Sequence, residues 1–245
     1  MNYSSRIKVE IWSDFVCSFC YMGKRSFEQA LKNFEHRDKV DVVYRSFQLD
    51  PNQKKSSSNQ SIYEMVAQKK GVSIEKAKQM ISGVAQLAKT AGLEFNFDTV
   101  ILAGTYDAHR LAHYAKSQNK LDEFVEQTMY AFFTNSQDIG DTETLVQLAV
   151  KAGLDEQQSR EVLTQGKYSE EVKRDRKEAE DLGVYGVPHF RFDEKYEVSG
   201  AQQPDVFVGV LNQMWNDQNN VAGSGASQKK SDATEDGCKD GSCKI

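Results

Sequence analysis

The chain changes its hydrophobic rhythm along its length. Residues 7–12, IKVEIW, alternate over a short β-prone run, as the period of two in a strand requires. Between Ser18 and Phe34 the period lengthens. Phe27, Ala30, Leu31 and Phe34 fall at i, i+3, i+4 and i+7, which predicts a helix with one apolar stripe. Residues 40–47, VDVVYRSF, predict a second strand. The opening order strand–helix–strand is that of a parallel βαβ unit.

After Pro51 the polar run KKSSSNQ marks a loop, and from residue 61 to 165 the patterns are almost all helical, for roughly five helices. Ser61 and Glu64 have the spacing of a capping box. Ala77, Met80, Ile81, Val84, Leu87, Ala88 and Ala91 form one long stripe, and others run through Leu111, Phe124, Phe132 and Leu145. Asp141 (or its neighbour Thr142) and Asp155 read as N-caps. After a charged helix over 169–182, β signals return. Residues 187–192 and 195–199 predict a hairpin turning at Asp193-Glu194, without the glycine that favours tight turns. Pro204 opens a last helix carrying Val206, Phe207, Val210, Leu211 and Met214. From about Asn216 the residues are polar and small, which predicts a flexible tail. The pattern is that of an α/β chain, β-α-β … α-β-β-α. Residues 1–60 and 166–216 are the two parts of one domain, 61–165 an all-helical insertion, and 217–245 the tail.

Composition narrows the function. Hydrophobic residues are 39%, charged residues 27% and the net charge is -5, an ordinary soluble balance. The mild acidity argues against nucleic acid as the main partner, because phosphate binding needs a basic surface. No run approaches the roughly 18 apolar residues of a membrane helix. The start, MNYSSRIKVEIW, lacks the apolar region and cleavage site of a secretory signal, so a cytoplasmic protein is expected. That compartment is reducing, which weights close cysteine pairs toward metal or redox chemistry.

The four cysteines form two close pairs: Cys17 and Cys20 in SDFVCSFCYMGKRSF, and Cys238 and Cys243 in DGCKDGSCKI. Cys17 falls where a strand gives way to a helix. Unpaired N–H groups and the positive end of the helix dipole favour a thiolate there. Cys20, one turn further in and more shielded, is placed to close a disulfide. The expected division has Cys17 attacking and Cys20 resolving. Half of a zinc site, with His36 or His109 among the missing ligands, and inert buried thiols are the alternatives. Val187-Pro188 follows Gly186. Proline is tolerated at a strand's first residue, and the other reading is a cis bond, a minority form of X–Pro.

Together these features resemble the DsbA family on the thioredoxin fold, and within it the FrnE-like branch. The likeness rests on CSFCYMGKRSFE, TYDAHRLAHYA (105–115), GVPHFRFDEKYEVSGAQ (186–202) and the closing helix, and covers about residues 6–215. It implies a thioredoxin-like α/β fold interrupted by the helical insertion. It implies a thiol–disulfide oxidoreductase (oxidase, reductase or isomerase of protein disulfides) that requires no organic cofactor and no metal. Pro188 would be a cis-proline packed against the Cys17–Cys20 motif, and the Val187 backbone would hold an extended substrate segment beside Cys17. His189 would tune the site or the groove, or else be an ordinary hairpin side chain. The implied partners are a protein carrying a disulfide or dithiol and a small-thiol or thioredoxin-type redox partner, with a homodimer left open. Ser18-Phe19 stands where the branch commonly has Pro-Trp, so a redox potential does not carry over. The isomerase and kappa-class glutathione transferase branches usually place serine where Cys17 stands. A glutathione-dependent transferase or isomerase is the alternative enzyme, and a redox-sensing adaptor the alternative without catalysis.

Other polar residues carry weaker expectations. Asp14 reads as a loop or capping residue rather than a local base. Lys24 and Arg25 read as solvated helix positions rather than thiolate partners. His109 and His113, at i and i+4, read as groove-lining or satisfied surface histidines rather than a metal pair. Phe95 and Phe97 read as core. Cys238 and Cys243, with Gly241 between them, are expected to relay electrons to or from Cys17–Cys20. A flexible tail of roughly 20 residues reaches on the order of 25 Å. The other reading of that pair is a metal-scavenging or incidental tail.

Overall fold

Strand β1 (Ile7–Ser13) pairs in parallel with β2 (Val40–Ser46), from Ile7 opposite Val40 to Ser13 opposite Ser46. On its other side lies β5 (His189–Phe192), antiparallel, with Trp12 opposite His189. The edge strand β6 (Tyr196–Ser199) completes a sheet of order β2-β1-β5-β6. The computed structural model describes residues 6–53, 56–57 and 60–223, so the predicted pair Cys238–Cys243 lies outside the described residues. Among those residues no helix is long and apolar enough to cross a membrane.

The alternation in β1 sorts its two faces. Ile7, Val9 and Ile11 are buried against α1 (Ser18–Asn33) and α9 (Pro204–Gly223), in a core with Phe27, Phe190, Phe192, Phe207 and Leu211. Glu10 and Trp12 face α8 (Ser169–Asp181). There the Trp12 indole donates to the Asp175 carbonyl at 3.2 Å, and Arg45 bridges the Glu10 and Asp175 carboxylates. A buried polar layer of this kind is tolerated because its groups are paired.

Between β2 and α8 run α2 (Ile62–Lys70), α3 (Ile74–Thr90), α4 (Tyr106–Ser117), α5 (Leu121–Phe133), α6 (Thr142–Lys151) and α7 (Glu156–Thr164). The described residues thus hold six helices in this stretch where about five were expected. They also hold a two-residue pair, β3 (Ser56–Ser57) with β4 (Leu102–Ala103), too short to show an alternation. Ser61 and Glu64 form the capping box, and Asp141 and Asp155 cap α6 and α7. On α3, Ala77, Ile81 and Ala88 are buried, whereas Met80 and Leu87 of the same stripe are exposed. The apolar stripe is wider than the face that neighbours cover.

Two expectations near the C-terminus are corrected. Strand β5 begins at His189 rather than Val187. Helix α9 continues through 217–223, the first part of the expected tail. Its polar residues find partners on the body. Trp215 stacks on His36 with ring centroids 3.8 Å apart, the Tyr196 hydroxyl donates to Asp217 at 2.9 Å, and the Gln218 amide donates to Asp193 at 2.9 Å. Asp193 and Glu194 make the hairpin turn at φ of 44° and 61°, and the Asp193 carboxylate accepts the Lys8 N–H at 2.7 Å. That bond ties down a conformation that glycine would adopt more easily.

Candidate active site

The loop Asp14–Val16 turns the chain from β1 into α1. The Cys17 N–H donates to the Asp14 carbonyl at 3.2 Å, and the Cys17 carbonyl accepts from the N–H groups of Cys20 and Tyr21. Cys17 is the N-cap, with extended backbone at φ -90° and ψ 109°, and its side chain makes no capping hydrogen bond. Its sulfur therefore stands at the helix N-terminus. Both thiols are free and both are buried, Cys17 at 7% exposure and Cys20 at 2%.

The Val187–Pro188 peptide is cis. The Cys17 thiol donates to the Val187 carbonyl at 3.5 Å, across 170 positions of sequence. Gly23 allows this approach. A Cβ there would sit 3.0 Å from Pro188 Cγ and 3.4 Å from Phe190 Cζ, so only a glycine lets the proline loop lie this close to α1. The sequence reading passed over this role. Its signal is a glycine inside a helix that otherwise has good helix formers.

Burial pushes the Cys20 thiol well above the ordinary cysteine range, and the neighbouring Cys17 sulfur pushes the same way. Hydrogen bonds from the Asp14 backbone and the Ser13 hydroxyl oppose this without cancelling it. Cys20 is thus held as a thiol until a base takes its proton.

Asp14 is the loop residue its position suggested, but the burial of several polar residues differs from their expectation. Asp14 is a fully buried loop residue whose Oδ2 accepts the Leu49 N–H at 2.8 Å, and His109 Nε2 lies 3.3 Å from its Oδ1. His109 is buried at 4% exposure and is not a surface histidine. The His113 side chain is mostly buried too, with Nε2 3.1 Å from both Ser46 Oγ and Asp175 Oδ2. Each imidazole has its carboxylate from another element, which a helix periodicity cannot reveal. Lys24 is likewise not solvated. Its ammonium is enclosed by Glu28, Asp122 and Glu126, while Arg25 pairs with Glu28 and Glu126 and the Tyr21 hydroxyl donates to Glu126 at 2.7 Å. Glu28 of α1 and Asp122 and Glu126 of α5 supply the negative charge that makes this burial tolerable. Phe95 and Phe97 are core, with Phe95 stacked on Phe133. The imagined zinc ligands are engaged elsewhere, His36 on Trp215 and His109 on Asp14.

His189 opens β5 beside Pro188. It is buried, with Nδ1 3.1 Å from Ser199 Oγ, Nε2 3.7 Å from Glu197 and its ring edge-on to Trp12. Burial lowers its pKa, so it favours the neutral imidazole. A surface depression of about 430 Å³ is bounded by Tyr185, Val187, Pro188, His189 and Glu197. Tyr185 projects from it at 88% exposure.

Residues 8–212 match the model of the DSBA-like thioredoxin domain family. The chain belongs to that family. Its DSBA-like fold is the expected one, an α/β thioredoxin-like sheet with helices inserted between β2 and β5. A solved structure described as the probable DsbA oxidoreductase SCO1869 from Streptomyces coelicolor is 39% identical, with a TM-score of 0.81, covering 93% of this chain and 95% of that one. The uncharacterized protein YwbO of Bacillus subtilis is 29% identical over 209 residues, 84% of this chain and 96% of YwbO. The cytosolic disulfide reductase DsbM from Pseudomonas aeruginosa shares the fold at 15% identity and a TM-score of 0.60, covering 85% of this chain and 98% of DsbM. The DSBA-like family is one of thiol–disulfide oxidoreductases.

Proposed function

We propose that this protein exchanges protein disulfides with Cys17 as nucleophile and Cys20 as resolving thiol. The observation that carries the reading is the Cys17 sulfur at the start of α1, 3.5 Å from the carbonyl that precedes Pro188, above a more deeply buried Cys20. In the reducing direction the Cys17 thiolate attacks a substrate disulfide. One substrate sulfur leaves as thiolate and a mixed disulfide forms at Cys17. Cys20 then gives up its proton and attacks Cys17 Sγ, which releases the second substrate thiolate and closes the Cys17–Cys20 disulfide. The reverse sequence oxidises a substrate dithiol. Neither direction requires an organic cofactor or a metal.

An extended substrate segment lies along the Val187 backbone, and His189 and Pro188 shape the groove it enters. The chain is read as a cytoplasmic, FrnE-like member, with residues 61–165 as a single helical insertion and with Cys238 and Cys243 relaying electrons between Cys17–Cys20 and a small thiol or thioredoxin-type partner. The test compares insulin reduction and dithiol oxidation by wild type, Cys17→Ser, Cys20→Ser and a Cys238/Cys243→Ser double variant. Exchange at the wild-type rate by Cys17→Ser sinks the assignment, and unchanged turnover and reoxidation in the tail variant sinks the relay. A reduction potential near about -270 mV marks a reductase and one near about -120 mV an oxidant.

A further inference from the structure

Cys20 must lose a proton before it can attack, and at 2% exposure its sulfur does not meet bulk water. The nearby Ser13 hydroxyl favours the thiolate of that sulfur. Ser13 also lines a cavity of about 20 Å³, room for one water, whose wall includes His109 and His113 and, at the protein surface, Lys116. His109 Nε2 is 3.3 Å from the Asp14 carboxylate. A neutral imidazole that donates from Nε2 to that carboxylate keeps the lone pair on Nδ1. The charged and titratable groups around His109 come from every side: Asp14 from the loop, Cys20 from α1 through Ser13, Tyr44 and Arg45 from β2, and His113 and Lys116 from α4 itself. Asp175 of α8 stands behind His113.

We infer that His109, oriented by Asp14, takes the Cys20 proton through this cavity while the mixed disulfide is resolved. The inference rests on the proposed roles of Cys17 and Cys20. In the step, the proton leaves Cys20 Sγ by way of Ser13 and a cavity water and protonates His109, whose imidazolium is paired with Asp14. The freed Cys20 electron pair forms the bond to Cys17 Sγ, and the Cys17–substrate S–S bond breaks with its pair leaving on the substrate sulfur. His109 then returns the proton to solvent past Lys116. A residue of α4 thereby completes a reaction whose two sulfurs stand at the start of α1.

Reduced full-length protein in which Cys238 and Cys243 are replaced by Ser, mixed with excess Ellman's reagent, separates the two steps; the variants below are made in this background. Attack by Cys17 releases the first thionitrobenzoate in a second-order phase, and attack by Cys20 releases the second in a unimolecular phase. His109→Phe is expected to leave the first phase within about twofold and to slow the second about ten- to a hundredfold at pH 7. The variant's second phase should also rise more steeply with pH, up to about tenfold per unit, as hydroxide replaces the lost acceptor. Imidazole at tens of millimolar should restore the second phase of His109→Ala. A second phase unchanged in rate and pH dependence overturns the inference. So does a slowed phase with the wild-type pH dependence and no imidazole rescue, which is what a merely structural histidine gives. If His109→Phe does not fold, His109→Gln, which keeps a neutral donor toward Asp14 and takes no proton, replaces it under the same criteria. Absence of the first phase in this background, by contrast, refutes the assignment of Cys17 itself.

Discussion

The two ends of α1 are both buried, but by opposite means. At its C-terminal half Phe27, Ala30 and the C-cap Phe34 join a mainly apolar cluster, with the Phe27 ring 5.6 Å from Phe190 and 5.4 Å from Phe207. At its N-terminal half Cys17 and Cys20 share their space with Ser13, Asp14 and His109, and Lys24 sits among three carboxylates. Burial of rings stabilises the fold at about 25 cal/mol per Å². Burial of polar groups costs free energy unless each finds a partner. One helix thus carries an apolar core at one end and the proposed chemistry at the other, and substitutions at the two ends should separate these properties.

The sharpest test is Cys17→Ser, which should lower disulfide exchange by at least about 10³-fold while urea unfolding moves by no more than about 0.5 kcal/mol. Phe190→Ala should do the opposite. It empties a fully buried ring position between Phe27 and Phe207 and should cost about 3–5 kcal/mol by urea denaturation. A cost below 1 kcal/mol would show that the apolar end is not where stability resides.

Lys24→Met probes the border between the ends and should cost about 1–3 kcal/mol, because Glu28, Asp122 and Glu126 lose their shared cation. Its effect depends on pH. Burial raises the Glu126 pKa, but hydrogen bonds from Tyr21 and Arg25 and the charges of Lys24 and Arg25 bring it below its ordinary 4.5. A carboxyl with a depressed folded pKa stabilises fully above its unfolded value, and loses that contribution as pH falls through the folded one. Removing Lys24 lifts the folded value toward the unfolded one, so urea midpoints measured from pH 7 down to 3 should fall less steeply with acid in the variant than in wild type. Gly23→Ala should cost about 1–2 kcal/mol through the 3.0 Å approach to Pro188, with a larger relative loss of exchange rate as the proline loop moves off Cys17. The smallest effect belongs to Phe19→Ala. Its ring is 43% exposed between the two cysteines, and stability should stay within about 0.5 kcal/mol. A larger change would place that ring in the apolar core.

Much of the frame was legible from the chain alone, and for a definite reason. Strand alternation in 7–12, the capping box at Ser61 and Glu64, and the caps at Asp141 and Asp155 are properties of a few neighbouring residues, so local spacing reveals them. The place of Cys17 at the start of a helix is equally local. The errors fall where a residue's partner is distant. Lys24 looked solvated because Glu126 is remote in sequence, the buried Asp14 partner of His109 was equally out of local view, and the polar stretch 217–223 looked flexible because its helix is held by His36, Tyr196 and Asp193.

Periods and caps along the chain are enough for the β-α-β … α-β-β-α frame, the α/β class and the cysteine pair at a helix N-terminus, since each follows from residues within one turn or one strand. The packing of distant segments sets the approach of Cys17 to the Val187 carbonyl, the room that Gly23 leaves for Pro188, the burial of Cys20 and the place of His109 in a cavity wall. Burial and hydrogen-bond satisfaction are set by segments up to 185 positions apart, and no local pattern encodes which of those segments will pack together.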